Sequence, residues 1–322
     1  MQESGIFSAK KLDMKHALWL SGLLLLSLTF SCEAPGETNN TDEKLYVVAT
    51  TGMVADMIAH IGGADVTVDA LMGPGVDPHL YKATQGDLSR LQKADLVVYN
   101  GLHLEGKMGE ILEKLGRTKP VVAISAGIPE AKLLEDTLFQ GNFDPHIWFD
   151  VSLWAAAIPA LTEALATSDS SLREVFERNG KAYQLELELL HDWVRDTLAV
   201  LPADKRVVVT AHDAFSYFGR AYDLEVRGLQ GISTLSEFGL RDRVDLVNFL
   251  VERQIGAVFV ETSVSTKNIT SIVEGCRQKG HEVRIGGQLF SDAMGAPDTP
   301  EGTYTGMVRA NVRTIIESLN EH

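Results

Sequence analysis

"LYVVATTGMVADMIAHIGGADVTVDALMGPGVDPHLY", residues 45–81, decides the fold. It opens on a β-branched apolar run, "LYVVATT", which reads as a buried strand. "GMVADMIAHIGG" then spaces its apolar residues as a helix does, and "VTVDAL" is a second strand leading into a Gly/Pro loop that carries His79. Strand, helix and strand in that order form a βα unit of a parallel sheet. "ADLVVYN" and "PVVAIS" continue the alternation, and a second set runs through "RVVVTAHDAF", "LEVRGL", "GAVFVETS" and "HEVRIGG". The pattern predicts the α/β class, with two lobes over 44–167 and 202–322, each a mostly parallel sheet flanked by helices.

Residues 168–201 separate the two sets and contain no Gly or Pro except Gly180. Apolar residues recur at Leu172, Val175, Phe176, Tyr183, Leu187, Leu190, Val194 and Leu198, a helical stripe. A single helix here would run about 45 Å, long enough to cross both lobes and stiff enough to restrict hinge bending. Pro202 ends it.

The chain has 322 residues, 23% of them charged and 45% hydrophobic, which are ordinary globular values. Its formal net charge of −15 argues against nucleic acid as a partner. Near the start, Lys10, Lys11 and Lys15 precede the apolar run "ALWLSGLLLLSLTF", which is short for a membrane span and reads as the core of a signal peptide covering 1–31. Met14-Lys15 would itself make a typical start. Cys32 follows "TFS" and resembles the lipidated cysteine of a bacterial lipoprotein, although Phe30 replaces the usual small residue. Residues 32–43, polar and rich in Pro, Gly and Asn, read as a flexible tether. The expectation is an exported protein, periplasmic or at the cell surface, held to the membrane by lipid on Cys32. Cys276 is the other cysteine, expected as a half-buried thiol on a helix with no role.

"GVDPHLY" and "DPHIWFD" spell Asp-Pro-His twice, each beside an aromatic residue, with His146 following His79 by 67 positions. Proline fixes its own φ and keeps the preceding Asp out of the helical region, so each His is presented from a rigid loop. Preorganised imidazoles suit metal binding. In the second lobe "VVVTAHDAF" puts His212 directly past a β-branched run, at the strand edge where open α/β sheets bind ligands. "GGQLFSDAMG" puts Asp292 in a Gly-flanked loop after the strand "HEVRI". Three imidazoles and a carboxylate suit Zn(II), and Mn(II) as well if the Asp binds through both oxygens. His60 and His191 fall within helical patterns, His281 starts a strand and His103 lies in a polar loop, so structural roles are expected for these.

Taken together, "GVDPHLY", "DPHIWFD", "AHDAFSYFGRAYDLEVRGLQGIST", "ETSVSTKN" and "IGGQLFSDAMG...EGTY" resemble the motif series of the zinc/manganese solute-binding proteins of ABC transporters, in the TroA-like branch. The likeness runs from about residue 45 to the end of the chain. It implies two α/β lobes joined by a backbone helix, with a transported metal held between them and delivered to a membrane permease. The ligands carried over by motif are His79, His146, His212 and Asp292. A monomer that is not an enzyme is expected. Zinc-dedicated members often carry a His-rich insertion in the first lobe, but residues 105–143 contain no histidine. Manganese-specific relatives tend to have Glu where this chain has His212, so the likeness is to the branch with mixed zinc and manganese binding.

Two other classes compete with transport. A metallohydrolase can also use a His/Asp cluster, but it needs an open coordination position and a general base, and no H-E-x-x-H or nucleophile elbow is present. A surface adhesin would need an adhesive module, which the sequence does not supply. Around the ligands, Asp77 and Asp144 read either as partners of the imidazoles or as turn caps. Trp148, Phe149, Phe215 and Phe290 read as walls of the site or as core. Glu237 and Glu261 read as permease contacts or solvated residues.

Overall fold

The structure is a computed structural model, and it describes residues 44–136, 141–235 and 239–320. The expected signal peptide, Cys32, the tether and Glu237 lie outside the described residues. The first lobe holds four parallel strands, β1 (Leu45–Ala49), β2 (Val66–Ala70), β3 (Leu96–Tyr99) and β4 (Val121–Ala123), in the order β2-β1-β3-β4. Its β1 residues alternate between two cores: Val47 and Ala49 join the core shared with the helices, and Val48 joins an outer cluster with Leu91 and Met108. Burial on both faces is why the strand reads as one apolar run rather than an alternating one.

Thr51 caps the first helix, α1 (Gly52–Gly62), by accepting the Val54 N–H. Thr84 and Asp87 form a capping box on α2 (Gln85–Lys93). After α3 (Gly109–Gly116) the chain reaches α4 (Val151–Ala156) and α5 (Ile158–Ser168). The linking helix α6 is Arg173–Leu198, 26 residues, shorter at both ends than the expected 168–201. Asp169 explains the late start: its side chain accepts the Ser171 N–H and sets a 3-10 turn over Ser170–Leu172. At 1.5 Å per residue α6 is about 39 Å long. Phe176, Gly180, Tyr183, Leu187, Leu190, Val194 and Leu198 form its buried stripe.

The second lobe has two parallel pairs, β5 (Val207–His212) with β6 (Glu225–Gln230) and β7 (Ala257–Glu261) with β8 (Arg284–Leu289), and β5 packs beside β7. Helices α7 (Ser216–Tyr222), α8 (Leu240–Glu252), α9 (Lys267–Gln278) and α10 (Tyr304–Asn320) flank them. In β8, Gly286 and Gly287 leave room for Ser318 and Thr314 of α10, where any Cβ would collide. One detail differs from expectation. Cys276 on α9 is fully buried, not half-buried, and burial pushes its thiol pKa up.

One core crosses the molecule. It includes Val47 and Met57 of the first lobe, Leu187 and Val194 of α6, and Phe215 and Tyr304 of the second. The close approach of α5 and α6 within it depends on Gly180, where a Cβ would stand 2.6 Å from Thr162 Oγ1. Alanine normally favours a helix interior over glycine by about 1 kcal/mol. Here Gly180→Ala should instead lower the melting temperature, and Thr162→Ala added to it should recover much of the loss. Thermal denaturation of the two variants against the parent checks this.

Candidate metal centre

The two Asp-Pro-His segments fold alike. In each the Asp side chain accepts the backbone N–H of the His two residues on, Asp77 Oδ1 from His79 at 2.9 Å and Asp144 Oδ1 from His146 at 2.9 Å. The proline between has no N–H to compete and a fixed φ, so each motif is a stiff Asx turn that holds up an imidazole. The carboxylates then differ in their second contact. Asp144 Oδ1 also meets Nδ1 of His146 at 2.7 Å, whereas Asp77 Oδ2 accepts from Thr234 Oγ1 of the other lobe at 2.7 Å. Both readings of these aspartates hold at once: they build the turns, and Asp144 orients the ring.

His212 is the last residue of β5, and Glu261 ends the neighbouring strand β7. The Glu261 carboxylate takes the His212 backbone N–H on Oε1 at 2.9 Å and faces Nδ1 of the same residue with Oε2. Glu261 is 1% exposed, so the expectation of a solvated or permease-facing residue was wrong. Glu261 closes the strand "AVFVE", and all five of its residues are buried. Asp292 lies three residues past β8, beside Ser291, whose carbonyl accepts the Trp148 indole N–H at 3.1 Å.

All four sequence-predicted donors meet, and all are buried. One donor atom from each of His79, His146, His212 and Asp292 lies within 4.8 Å of the others. His79 Nε2 is 3.3 Å from His146 Nε2, and Asp292 stands 3.4 Å from Nε2 of both His146 and His212. A tetrahedral centre with bonds of about 2.0–2.1 Å has edges of about 3.3 Å, and these three separations match that value. Beyond these 3.4 Å contacts, His212 Nε2 and both Asp292 oxygens are buried with no further hydrogen-bond partner, so a proton or cation shared among them has to satisfy them. Trp148 packs edge-on against His146 with ring centroids 5.2 Å apart, and Phe149 stacks on Phe215 at 4.2 Å, so these aromatics are core and wall together. Phe290 is only partly buried. The remaining predicted structural histidines stay apart: His60 pairs with Asp56, His191 with Tyr222 and His281 with the Ile255 carbonyl. His103 sits in an exposed turn.

Electrostatics divides the imidazoles. Burial, helped by the neighbouring His146 and His212, lowers the His79 pKa to about 3, so its ring is neutral and ready to coordinate. Burial also works against charge on His146, but Asp144 and Asp292 outweigh it and raise the pKa to about 9. His212 is raised as well, by Glu261 and Asp292 against burial, and Asp292 is held well below the usual carboxylate range by the two imidazoles. Without metal, His146 and His212 therefore carry protons at neutral pH. A cation must displace them, so apparent affinity should fall as pH drops from about 9, not only through the ordinary histidine range near 6.5. About two protons should leave per ion bound at pH 7. Calorimetry in buffers of different ionisation enthalpy measures that number, and a value near zero would contradict the assignment. Glu261→Gln should weaken Zn(II) binding roughly 10- to 100-fold, the usual cost of losing an imidazole's carboxylate partner, as read by chelator competition.

A profile of the family "Zinc-uptake complex component A periplasmic" (ZnuA) matches residues 47–318. The manganese-binding lipoprotein MntA of Bacillus subtilis is 47% identical over 307 residues, covering 95% of this chain and all of the relative. The zinc-binding protein TroA of Treponema pallidum is 49% identical over 278 residues, covering 86% and 90% of the two chains. The solved structure of that periplasmic zinc-binding protein superimposes with a TM-score of 0.84 at 48% identity, over 86% of this chain and 99% of the other.

Proposed function

The chain belongs to the ZnuA family, and from that premise we propose that it is the solute-binding component of a metal ABC transporter. It binds one divalent transition-metal ion, Zn(II) or Mn(II), through His79, His146, His212 and Asp292, and hands that ion to a membrane permease. The metal is cargo, not a catalytic cofactor. One observation carries the reading above all: four buried donor atoms, two from each lobe, lie at the mutual spacing of metal ligands. Donors split between lobes suit capture and release, since a small separation of the lobes breaks the shell. The relatives' names describe binding proteins, and a catalytic zinc normally has three protein ligands plus a water, whereas four protein donors converge here. We place the protein outside the cytoplasm, tethered through lipid on Cys32, because its relative MntA is named a lipoprotein.

Removing any one ligand, as in His79→Ala, His146→Ala, His212→Ala or Asp292→Ala, should weaken Zn(II) and Mn(II) binding strongly. His103→Ala, in its exposed turn, should not. Titration calorimetry on metal-free protein decides, and an equal loss for His103→Ala and His212→Ala would overturn the ligand set. Since the ion binds the folded chain far better than the unfolded one, metal at 100 times its dissociation constant should stabilise by about 2.7 kcal/mol. A thermal scan with and without chelator reads this directly, and no shift with either metal would reject the proposal.

A further inference from the structure

Between β3 and α3 the chain makes a turn that the metal-binding reading does not use. Gly101, Leu102 and His103 all have left-handed backbones, with φ of 87°, 52° and 65°. Two of the three carry side chains that disfavour this conformation, so surrounding contacts must hold it. Gly101 itself admits no side chain, because a Cβ would overlap Ser125 Oγ. The holding group is Glu105, a carboxylate only 3% exposed. Its Oε1 accepts from the Asn100 backbone N–H at 2.8 Å and from Thr50 Oγ1 at 2.6 Å, and its Oε2 accepts from the Gly101 N–H at 3.2 Å. A buried carboxylate with three donors pins the end of β3 to the end of β1.

That pinning fixes Asn100, which is 1% exposed and extends Nδ2 across to the Pro145 carbonyl at 2.9 Å. Pro145 O belongs to the peptide that leads into His146. The loop of the second Asp-Pro-His motif is thus gripped twice. Asp144 holds the His146 amide and Nδ1, and Asn100 holds the carbonyl between them. The first motif takes its second hold from Thr234 of the other lobe instead, so the two look-alike loops are supported differently.

We propose that Asn100, held by Glu105, is a positioning residue for His146, setting the place of its ring through the Pro145 carbonyl. The idea rests on the metal-binding reading above and assigns a role within that site. Coordination requires Nε2 to stand within a few tenths of an ångström of its place, and loss of an outer partner typically costs 10- to 100-fold in affinity. Releasing Pro145 should therefore degrade the His146 bond to the metal and leave the other three ligands in place.

The test is a double-mutant cycle on the whole chain, with Zn(II) affinity read by chelator competition and site geometry by the visible absorption of bound Co(II). Asn100→Ala should weaken Zn(II) at least tenfold in the parent and change the Co(II) bands. In the His146→Ala background the same substitution should cost almost nothing more, because the ligand it positions is already gone. Equal losses in both backgrounds would overturn the proposal, since a general loosening of the fold acts whether or not His146 is present. If circular dichroism shows that Asn100→Ala does not fold, Asn100→Ser and Glu105→Gln take its place in the cycle with the same two outcomes. A parent that binds neither Zn(II) nor Co(II) would sink the metal reading itself, whereas additive losses in a parent that binds would sink this inference alone.

Discussion

Charge removed from water is the constraint around which the molecule is arranged. Asp144, Glu261 and Asp292 are each at most 2% exposed and crowd around imidazoles that are equally buried. Isolated carboxylates in such surroundings would be untenable, so positive charge must accompany them. Without metal, the protons on His146 and His212 supply it. In the proposed metal-bound state both rings become neutral and one divalent cation takes over. The exchange of two protons for one such ion leaves the net charge of the interior as it was. The site can therefore fill and empty without a large electrostatic penalty in either state, which suits a carrier that must release what it holds.

The scaffold keeps those groups in place by different means on its two sides. Away from the site, a single apolar core runs through α6 from one lobe to the other, so the lobes share their packing and cannot swing freely about a soft linker. Next to the site the lobes also meet through individual hydrogen bonds: Thr234 to Asp77, the Trp148 indole to the Ser291 carbonyl, and the Tyr217 phenol to the Asp144 carbonyl at 2.9 Å. Such bonds each contribute only about 0.5–1.5 kcal/mol net. Breaking them costs less than separating the lobes along the core.

Most of this was legible in the sequence because the signals were backbone signals. β-branched runs separated by helical spacing gave eight strands at the right places, and Asp-Pro-His marked two turns whose geometry follows from proline and the Asx side chain. His212 and Asp292 were singled out because ligand sites lie past the ends of parallel strands, and the structure puts them at the end of β5 and just past β8. What escaped is tertiary. Glu261 reads as surface because a carboxylate at a strand end usually is, and only the neighbouring strand shows that His212 waits beside it. Asn100 reads as the end of the strand run "ADLVVYN" and Glu105 as part of the polar stretch after it, yet both are buried. The linking helix was placed but overextended, since Asp169 favours its own local turn over continuing the helix.

The same geometry bears on which metal is carried. Three of the donor separations are 3.3–3.4 Å and the rest stay within 4.8 Å, a spacing compatible with the four-coordinate geometry that Zn(II) prefers. Neither Asp292 oxygen has a hydrogen-bond partner, so the second is free to bind as well, and bidentate contact raises the coordination number toward what Mn(II) accepts. The third position is less adaptable, because Glu261 holds His212 through both its amide and Nδ1 and commits that corner to nitrogen. Three nitrogens and one variable carboxylate favour zinc on intrinsic affinity while leaving manganese a workable geometry. Selection between them then passes from the cage to the supply of each ion outside the cell.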